Sequence, residues 1–373
     1  MKVLNSTATA LLVVLLFYLL IVGKALLLPL IIAIALWYLI NTLASVFAGV
    51  AIAGFHFPKP LCLLASILTF LLLILALVNF LGSTFDDVLE VMPEYQQNLT
   101  LRLENLPFDV GAYQEQGLMP LITEWINLPS YAASMAASFA GILASGGLIL
   151  IYIGFLFLEQ GNFNKKITAL VGNPEKEQNV RKILNRIRDD IRKYISIKMF
   201  TSSLTGVLSY AFLRAVDVDF AGVWGLLIFL LNFIPTVGSI VATIFPAMIA
   251  LAQSDGYTLF LLVLIGIGAL QISIGNILEP RLMGSSFNLS PIIILLNLAL
   301  WGYIWQIPGM FLCVPFLIII TIVLSHFPQT RSIAIILSSD GKLQIPVDPA
   351  LASFSFGSTA TTLLETDKDS AGE

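Results

Sequence analysis

The sequence predicts an all-α polytopic membrane protein with about eight transmembrane segments, some of them broken or re-entrant in the C-terminal half. Hydrophobic residues make up 58% of the 373 residues and charged residues only 11%, with a mean hydropathy of +0.92. An average soluble domain carries about 25% charged residues, so a soluble fold is excluded. Apolar runs long enough to cross a bilayer recur along the chain. The short alternating segments of a β-barrel do not appear in the sequence.

The N-terminal region, residues 1–82, contains three predicted transmembrane helices. They are Thr7–Val22, Ala25–Val50 and Leu61–Leu81. The first resembles a signal peptide, but only Lys2 precedes it and a second apolar run follows at once. We therefore interpret it as a retained span.

Residues 83–130 form a polar and strongly acidic segment. Its apolar residues recur every three or four positions, which is the period of an amphipathic helix: Val88, Met92, Tyr95, Leu99, Leu103 and Leu106. This pattern fits either a gate or packing element at the outer mouth of the protein, or a solvated helix at the membrane interface.

The fourth span, residues 131–158, precedes a basic segment at 159–199. The small residues of 132–147 would let helix backbones approach closely, within the protomer or between protomers. The basic segment holds ten of the 19 Lys and Arg residues, so the positive-inside rule places it in the cytoplasm. The acidic segment is then outside, and both termini are cytoplasmic. Within the basic segment, Arg181–Lys198 predicts an amphipathic helix that binds anionic lipids or associates with copies of itself.

The C-terminal core, residues 200–324, begins with the short span Phe200–Phe212 and ends in two unusually long apolar segments. Phe220–Ala252 would extend roughly 50 Å as one straight helix, and Leu289–Leu324 is about as long, whereas the hydrocarbon core is roughly 30 Å thick. Thr258–Leu278 is an ordinary span between them. The tail, residues 325–373, is less hydrophobic, and its end is polar enough to be disordered.

The first long segment is interrupted in its middle. Pro235 removes a backbone donor, so the helix should break near Ile234, and Gly238 would allow a turn with positive φ. A backbone broken at membrane depth must be buried in protein or line a wet cavity. The alternative is a kinked lipid-facing helix, since Pro and Gly are common in membrane helices. If both long segments cross once, there are eight spans and the loop 279–286 is outside; if both fold back as hairpins, that loop is inside.

Three C-terminal motifs resemble the autoinducer-2 exporter family of bacterial membrane proteins. They are NFIPTVGSIVATIFP, NILEPRLMGSSFNLSPIIILLNLALWG and GMFLCVPFLIII, in this order. The resemblance implies eight spans and a transporter, with autoinducer-2 export or sodium/proton antiport as the activities assigned in such a family.

The candidate substrate or ion pathway follows the broken segments. Charges in membrane segments are costly and default to functional candidates, so Glu279 could accept a proton or cation. Arg281 could balance it or hold an anionic group of a substrate. Pro280 would keep the backbone between them non-helical. The alternative is an ordinary interfacial ion pair. The full candidate set is Asn232, Pro235, Thr236, Gly238, Ser239, Gln271, Asn276, Glu279, Arg281 and Asn297; Ser273 and Gln306 are further polar residues on these segments.

We therefore predict a secondary transporter of the bacterial inner membrane that exports a small polar molecule, with an autoinducer-2-like cargo implied by the resemblance, by alternating access. The alternatives are a monovalent-cation/proton antiporter and a non-transporting membrane scaffold. No catalytic, nucleotide-binding or metal motif occurs in the sequence, so we expect neither an enzyme nor a cofactor. The predicted partners are the small polar substrate or a monovalent cation, the lipid bilayer and further copies of the chain.

Overall fold

The computed structural model describes residues 2–49, 58–104, 145–254, 256–284, 287–327 and 329–341. Within these ranges the regular secondary structure is helical, apart from one antiparallel bridge between Leu289 and Ser338. The predicted all-α membrane fold is confirmed. The helices are α1 (Lys2–Val22), α2 (Lys24–Gly49), α3 (Lys59–Glu104), α4 (Ser145–Glu159), α5 (Phe163–Val171), α6 (Pro174–Ala215), α7 (Ala221–Leu231), α8 (Val237–Gln253), α9 (Thr258–Gln271), α10 (Glu279–Met283), α11 (Pro291–His326) and α12 (Arg331–Leu337).

Four helical segments are long and apolar enough to cross a membrane among the described residues. They are Lys24–Gly49, Lys59–Thr84, Thr258–Met283 and Pro291–His326, and the pair α4 and α5, bent by 65°, would be a fifth. The predicted count of about eight segments is therefore not confirmed. The difference arises partly in the C-terminal core, where shorter helices and folded-back segments replace single crossings.

Helix α3 joins the third span to the acidic segment without a break. It runs for 46 residues and carries Pro93 inside it. The part of the predicted amphipathic helix up to Glu104 therefore continues the third span as one helix, and we call it the α3 extension. The remainder of the acidic segment and the first part of the predicted fourth span, residues 105–144, lie outside the described residues, as does the tail after residue 341.

The basic segment and the fifth span are also one helix, α6. Asn173 caps its N-terminus by accepting hydrogen bonds from the backbone N–H groups of Glu175 and Lys176, and Pro174 occupies the first turn, where its missing N–H costs nothing. Ile187 and Tyr194, from the apolar face predicted for the basic segment, contact a core cluster inside the protein. Part of this face is therefore covered within a single chain.

The first long segment folds back as a hairpin, formed by α7, residues 232–236 and α8. Its two ends lie together, because the Gln253 side chain donates to Asp217 O at 2.7 Å and accepts from Asp219 N at 2.9 Å. Along the arms, Ile228 packs in the same core cluster as Ala242 and Ala247. We call this element the first hairpin.

The second long segment, α11, also folds back. Its backbone is non-helical at Gln306, between arms 291–305 and 307–326. The Trp301 and Phe316 rings lie 4.4 Å apart, although fifteen residues would separate them by about 22 Å along a straight helix. Asn297 donates from one arm to Cys313 O on the other. We call α11 the second hairpin.

The two hairpins enter the protein from opposite ends of the C-terminal part of α6, residues 198–215. The ends of the first hairpin lie beside the C-terminus of α6, at Asp217 and Asp219. The second hairpin follows α10, which contacts α6 near Lys198, about 26 Å away along the helix. The bent segments therefore meet tip to tip inside the core. The sequence allowed each long segment either to cross once or to fold back as a hairpin, and in the structure both fold back.

Candidate functional site

The tips of both hairpins contain backbone that ordinary residues avoid. Thr236 has φ 60° and ψ −60° in the first tip, and Gln306 has φ 56° and ψ −139° in the second. Positive φ is unfavourable for a β-branched residue, and such strain often accumulates at functional sites. The structure thus confirms the predicted break before Pro235, because α7 ends at Leu231.

The predicted role of Gly238 is wrong in its detail. Thr236, rather than Gly238, adopts the positive φ. Gly238 is required for space, because a Cβ there would lie 1.8 Å from the Leu231 carbonyl oxygen. The second tip uses the same device, since a Cβ on Gly309 would lie 2.1 Å from Trp301 O. Glycine therefore lets both hairpins close.

Aromatic and aliphatic side chains join the two tips. The Phe233 ring stacks on Phe311 with centroids 5.9 Å apart and planes 16° apart. Ile234, which is 5% exposed, packs in one core cluster with Trp301 and Trp305 of the second hairpin. This apolar contact holds the two tips together.

A stripe of polar side chains runs along the buried face of α6. Its members recur at three- and four-residue spacing, are 0–6% exposed, and are Lys198, Thr201, Ser202, Thr205 and Ser209. We call it the polar stripe. Beside it, Asn232 at the first tip donates to Ser202 Oγ at 3.0 Å. The polar stripe therefore runs from the first hairpin tip to Lys198, in the middle of α6, where α10 packs against this helix.

The polar stripe ends in a buried ion pair between Lys198 and Glu279. Lys198 Nζ lies 2.7 and 2.9 Å from the two carboxylate oxygens, and Thr201 Oγ1 donates to Oε2 at 3.2 Å. The side chains of Lys198 and Glu279 are only 7% and 13% exposed. Removing two charges from water is costly, so such a pair persists because each charge compensates the other.

Two predictions about the neighbourhood of Glu279 are wrong. Arg281 does not balance this carboxylate; its side chain is exposed, and Lys198 from α6 takes that role. Pro280 does not make the backbone non-helical, because it lies in the first turn of α10. A π-helical turn, Ile272–Leu278, precedes it and provides the wider backbone that accommodates its ring.

The remaining candidates are divided between the core and the surface. Gln271 is 6% exposed, and its Nε2 has no hydrogen-bond partner among the described residues. Asn297 bridges the arms of the second hairpin, as expected for an interhelical hydrogen bond. Ser239, partly buried, donates to Thr236 O at 2.8 Å. The exposed side chains are Thr236, Ser273, Asn276, Arg281 and Gln306. The structure thus does not bring Asn276 to the buried side of Glu279.

A second polar junction lies at the C-terminal end of α6. Tyr95 on the α3 extension is 5% exposed and donates to Asp219, and Asn98 donates to the backbone oxygen of Ala252 at 3.2 Å. Burial and the Asp219 carboxylate raise the pKa of the Tyr95 hydroxyl, so it stays protonated. The α3 extension therefore packs on the ends of the first hairpin, as a packing element would.

Sequence reasoning missed Lys198 and the rest of the polar stripe. Lys198 was counted with the basic segment, and the run TSSLTGVLS was interpreted only as part of a short span. The spacing of its hydroxyl residues, which places them on one helix face, was the available signal.

Two opposed hairpins with broken backbone, packed tip to tip beside a buried polar stripe, define a transporter-like membrane fold. The sequence profile of the AI-2E family transporters matches residues 9–329, so the chain belongs to this family, as its C-terminal motifs predicted. The chain is therefore a transporter and a multi-pass membrane protein.

Several curated proteins are similar to this chain over most of their length. The AI-2 transport protein TqsA of Escherichia coli K12 is 30% identical over 291 residues, which cover 76% of this chain and 83% of TqsA. A protein of Haemophilus influenzae is 28% identical over 70% of this chain and 76% of its own length. YhhT of Escherichia coli K12 is 28% identical over 69% of this chain and 73% of its own length. The last two are provisionally named as transport proteins.

Proposed function

We propose that this chain is a secondary transporter that exports a small polar molecule, with an autoinducer-2-like compound as the cargo, by alternating access. The observation that carries the proposal is the pair of hairpins that enter from opposite ends and meet at their tips. The name of the relative TqsA supports the cargo.

The hairpin tips would act as the two gates of this mechanism. Each tip reaches the core from one side, and each contains a strained residue, Thr236 or Gln306, next to a glycine that allows tight closure. Displacing one tip at a time would open the core to one side and keep it closed to the other. Asn232, Gln271 and the polar stripe would then supply hydrogen bonds to a polar cargo.

Glu279 would supply the coupling charge. It is acidic, largely buried, and close to the start of the second hairpin, so a change in its ionic partner could alter that hairpin's position. The same observation favours a second candidate function, monovalent-cation/proton antiport, in which Glu279 would be essential and no organic cargo would be moved.

The placement in the cell is part of the proposal. We infer a bacterial inner-membrane location with both termini in the cytoplasm, because the basic residues cluster in the segment 159–199. The exposed basic side chains of α6 suit anionic lipid head groups. Self-association is proposed from the small-residue run at 132–147, most of which lies outside the described residues.

Flux into sealed proteoliposomes tests the two functions. Labelled autoinducer-2 is followed under an imposed sodium gradient, a proton gradient or neither, with empty liposomes as the control. Gradient-dependent movement of the label supports the exporter. Sodium-driven proton movement that is unaffected by autoinducer-2, with no movement of the label, would replace it with the antiporter.

A further inference from the structure

We propose that Glu279 and Thr201 form a binding site for a monovalent metal cation, and that the Lys198 ammonium is a tethered competitor for this site. The inference rests on the proposed transport function and deepens it, because it specifies what the coupling charge binds. It also gives Lys198 a role that its position in the basic segment does not suggest.

The oxygen atoms around the ammonium suit such a cation. Lys198 Nζ contacts both oxygens of Glu279, and the Thr201 hydroxyl lies 3.2 Å from one of them. Withdrawal of the ammonium would leave a carboxylate and a hydroxyl, which are hard oxygen ligands of the kind that hard cations prefer. The ammonium and a sodium ion carry the same charge, so either can compensate the buried carboxylate.

Exchange is physically reasonable because the lysine side chain is long and the pair is not completely enclosed. Its flexible four-carbon stem lets Nζ move toward water while the helix backbone stays in place. The Glu279 side chain keeps 13% of its surface exposed, so water reaches the edge of the pair. Glu279 would then remain paired with one cation in each state, which avoids an isolated buried charge.

A metal cation at this site requires an anionic oxygen ligand, and the Glu279 carboxylate supplies it. The other titratable groups close to the pair are Tyr194 on α6 and Cys313 on the second hairpin, and neither supplies a negative charge in its ordinary neutral form. Glu279 is thus the anionic ligand of this cluster.

The exchange would also affect the hairpins. Glu279 begins α10, directly after the π-helical turn, and α10 leads through residues 284–290 into the second hairpin. The Lys198–Glu279 contact ties this segment to α6. A cation that replaces Lys198 would release that tie, so occupancy of the site would change how firmly the second hairpin is held.

Sodium binding to the purified full-length protein tests the inference. The half-saturating sodium concentration is measured from the rise in melting temperature in nanodiscs, with choline chloride keeping the ionic strength constant. We expect Lys198→Gln to lower this concentration about tenfold, because the competitor is removed. Lys198→Arg should raise it, since the guanidinium stays charged and can bind both oxygens. Glu279→Gln should abolish the sodium effect.

Arg214→Gln is the matched control, because it removes an exposed ion pair with Asp217 from the same helix. It should leave the sodium titration unchanged. The inference is overturned if sodium and choline raise the melting temperature of the wild-type protein equally. It is also overturned if Lys198→Arg has the same half-saturating sodium concentration as the wild type, because Lys198 would then not compete with sodium. If Lys198→Gln does not fold, the Lys198→Arg shift decides. This readout needs no flux, so sodium binding without autoinducer-2 transport would reject the proposed cargo alone.

Discussion

Adding one methyl group at Gly238 should disable the first hairpin. In Gly238→Ala the new Cβ would lie 1.8 Å from Leu231 O and 3.1 Å from Ile234 Cβ. Real Cβ atoms do not approach other atoms closer than 3.0 Å, so the two atoms must separate by at least 3.0 − 1.8 = 1.2 Å. Because the blocking atom belongs to the backbone, no side-chain rotation relieves the contact. Overpacking of this kind costs about 1–3 kcal/mol, and we expect the upper end.

The assay measures both stability and transport on the same preparation. Thermal unfolding in nanodiscs should show a lower melting temperature, and gradient-driven flux in proteoliposomes should fall at least about tenfold, which corresponds to about 1.4 kcal/mol in the free energy of the transport barrier. The opened tip would no longer pack Ile234 and Phe233 against the second hairpin. Gly309→Ala should reproduce the effect in the second tip, since its Cβ would lie 2.1 Å from Trp301 O.

Gly268→Ala is the matched control for these substitutions. It lies within α9, where the new Cβ would make only an ordinary contact of 3.9 Å with Thr243 Cγ2. Alanine favours helix over glycine by up to about 1 kcal/mol, so the control should keep its flux and melt at the same or a higher temperature. Wild-type flux and stability in Gly238→Ala would refute the close approach of α7 and α8 on which the gate depends.

Three further predictions address the membrane topology, the second polar junction at Tyr95 and the oligomeric state. In a variant without the two native cysteines, an impermeant thiol reagent outside the cell should label Tyr257→Cys but not Ser332→Cys; labelling of both from one side would contradict the opposed hairpins. Tyr95→Phe should lower stability by about 0.5–1.5 kcal/mol, because it removes a hydrogen bond to Asp219, whose exposed carboxylate can still bind water. The raised pKa of Tyr95 stabilises the fold below pH about 10 and is lost as the pH rises further, so unfolding curves of wild type and Tyr95→Phe should converge at high pH. Size analysis in mild detergent should give a homo-oligomer, and a monomer with full transport would reject self-association.

The sequence alone was sufficient for the membrane class and for the places where helices fail. Hydrophobicity sums along a local stretch of chain, so length and composition identify spans such as Lys59–Thr84 without knowledge of their neighbours. The break before Pro235 could likewise be predicted from the local sequence, because proline disrupts only the turn of helix that precedes it. Segment length made a hairpin one of two possibilities, since about 33 residues exceed one crossing.

Tertiary structure decided how these segments pair. Lys198 and Glu279 are 81 residues apart, and only the packing of α6 against α10 brings them together. The same packing leaves Arg281, two residues from Glu279, on the surface, because residues two apart on an α-helix point about 200° away from each other. The positive φ fell on Thr236 rather than Gly238 because glycine was needed where the Leu231 carbonyl left no room for a Cβ. Such contacts join distant residues, so spacing along the chain does not encode them.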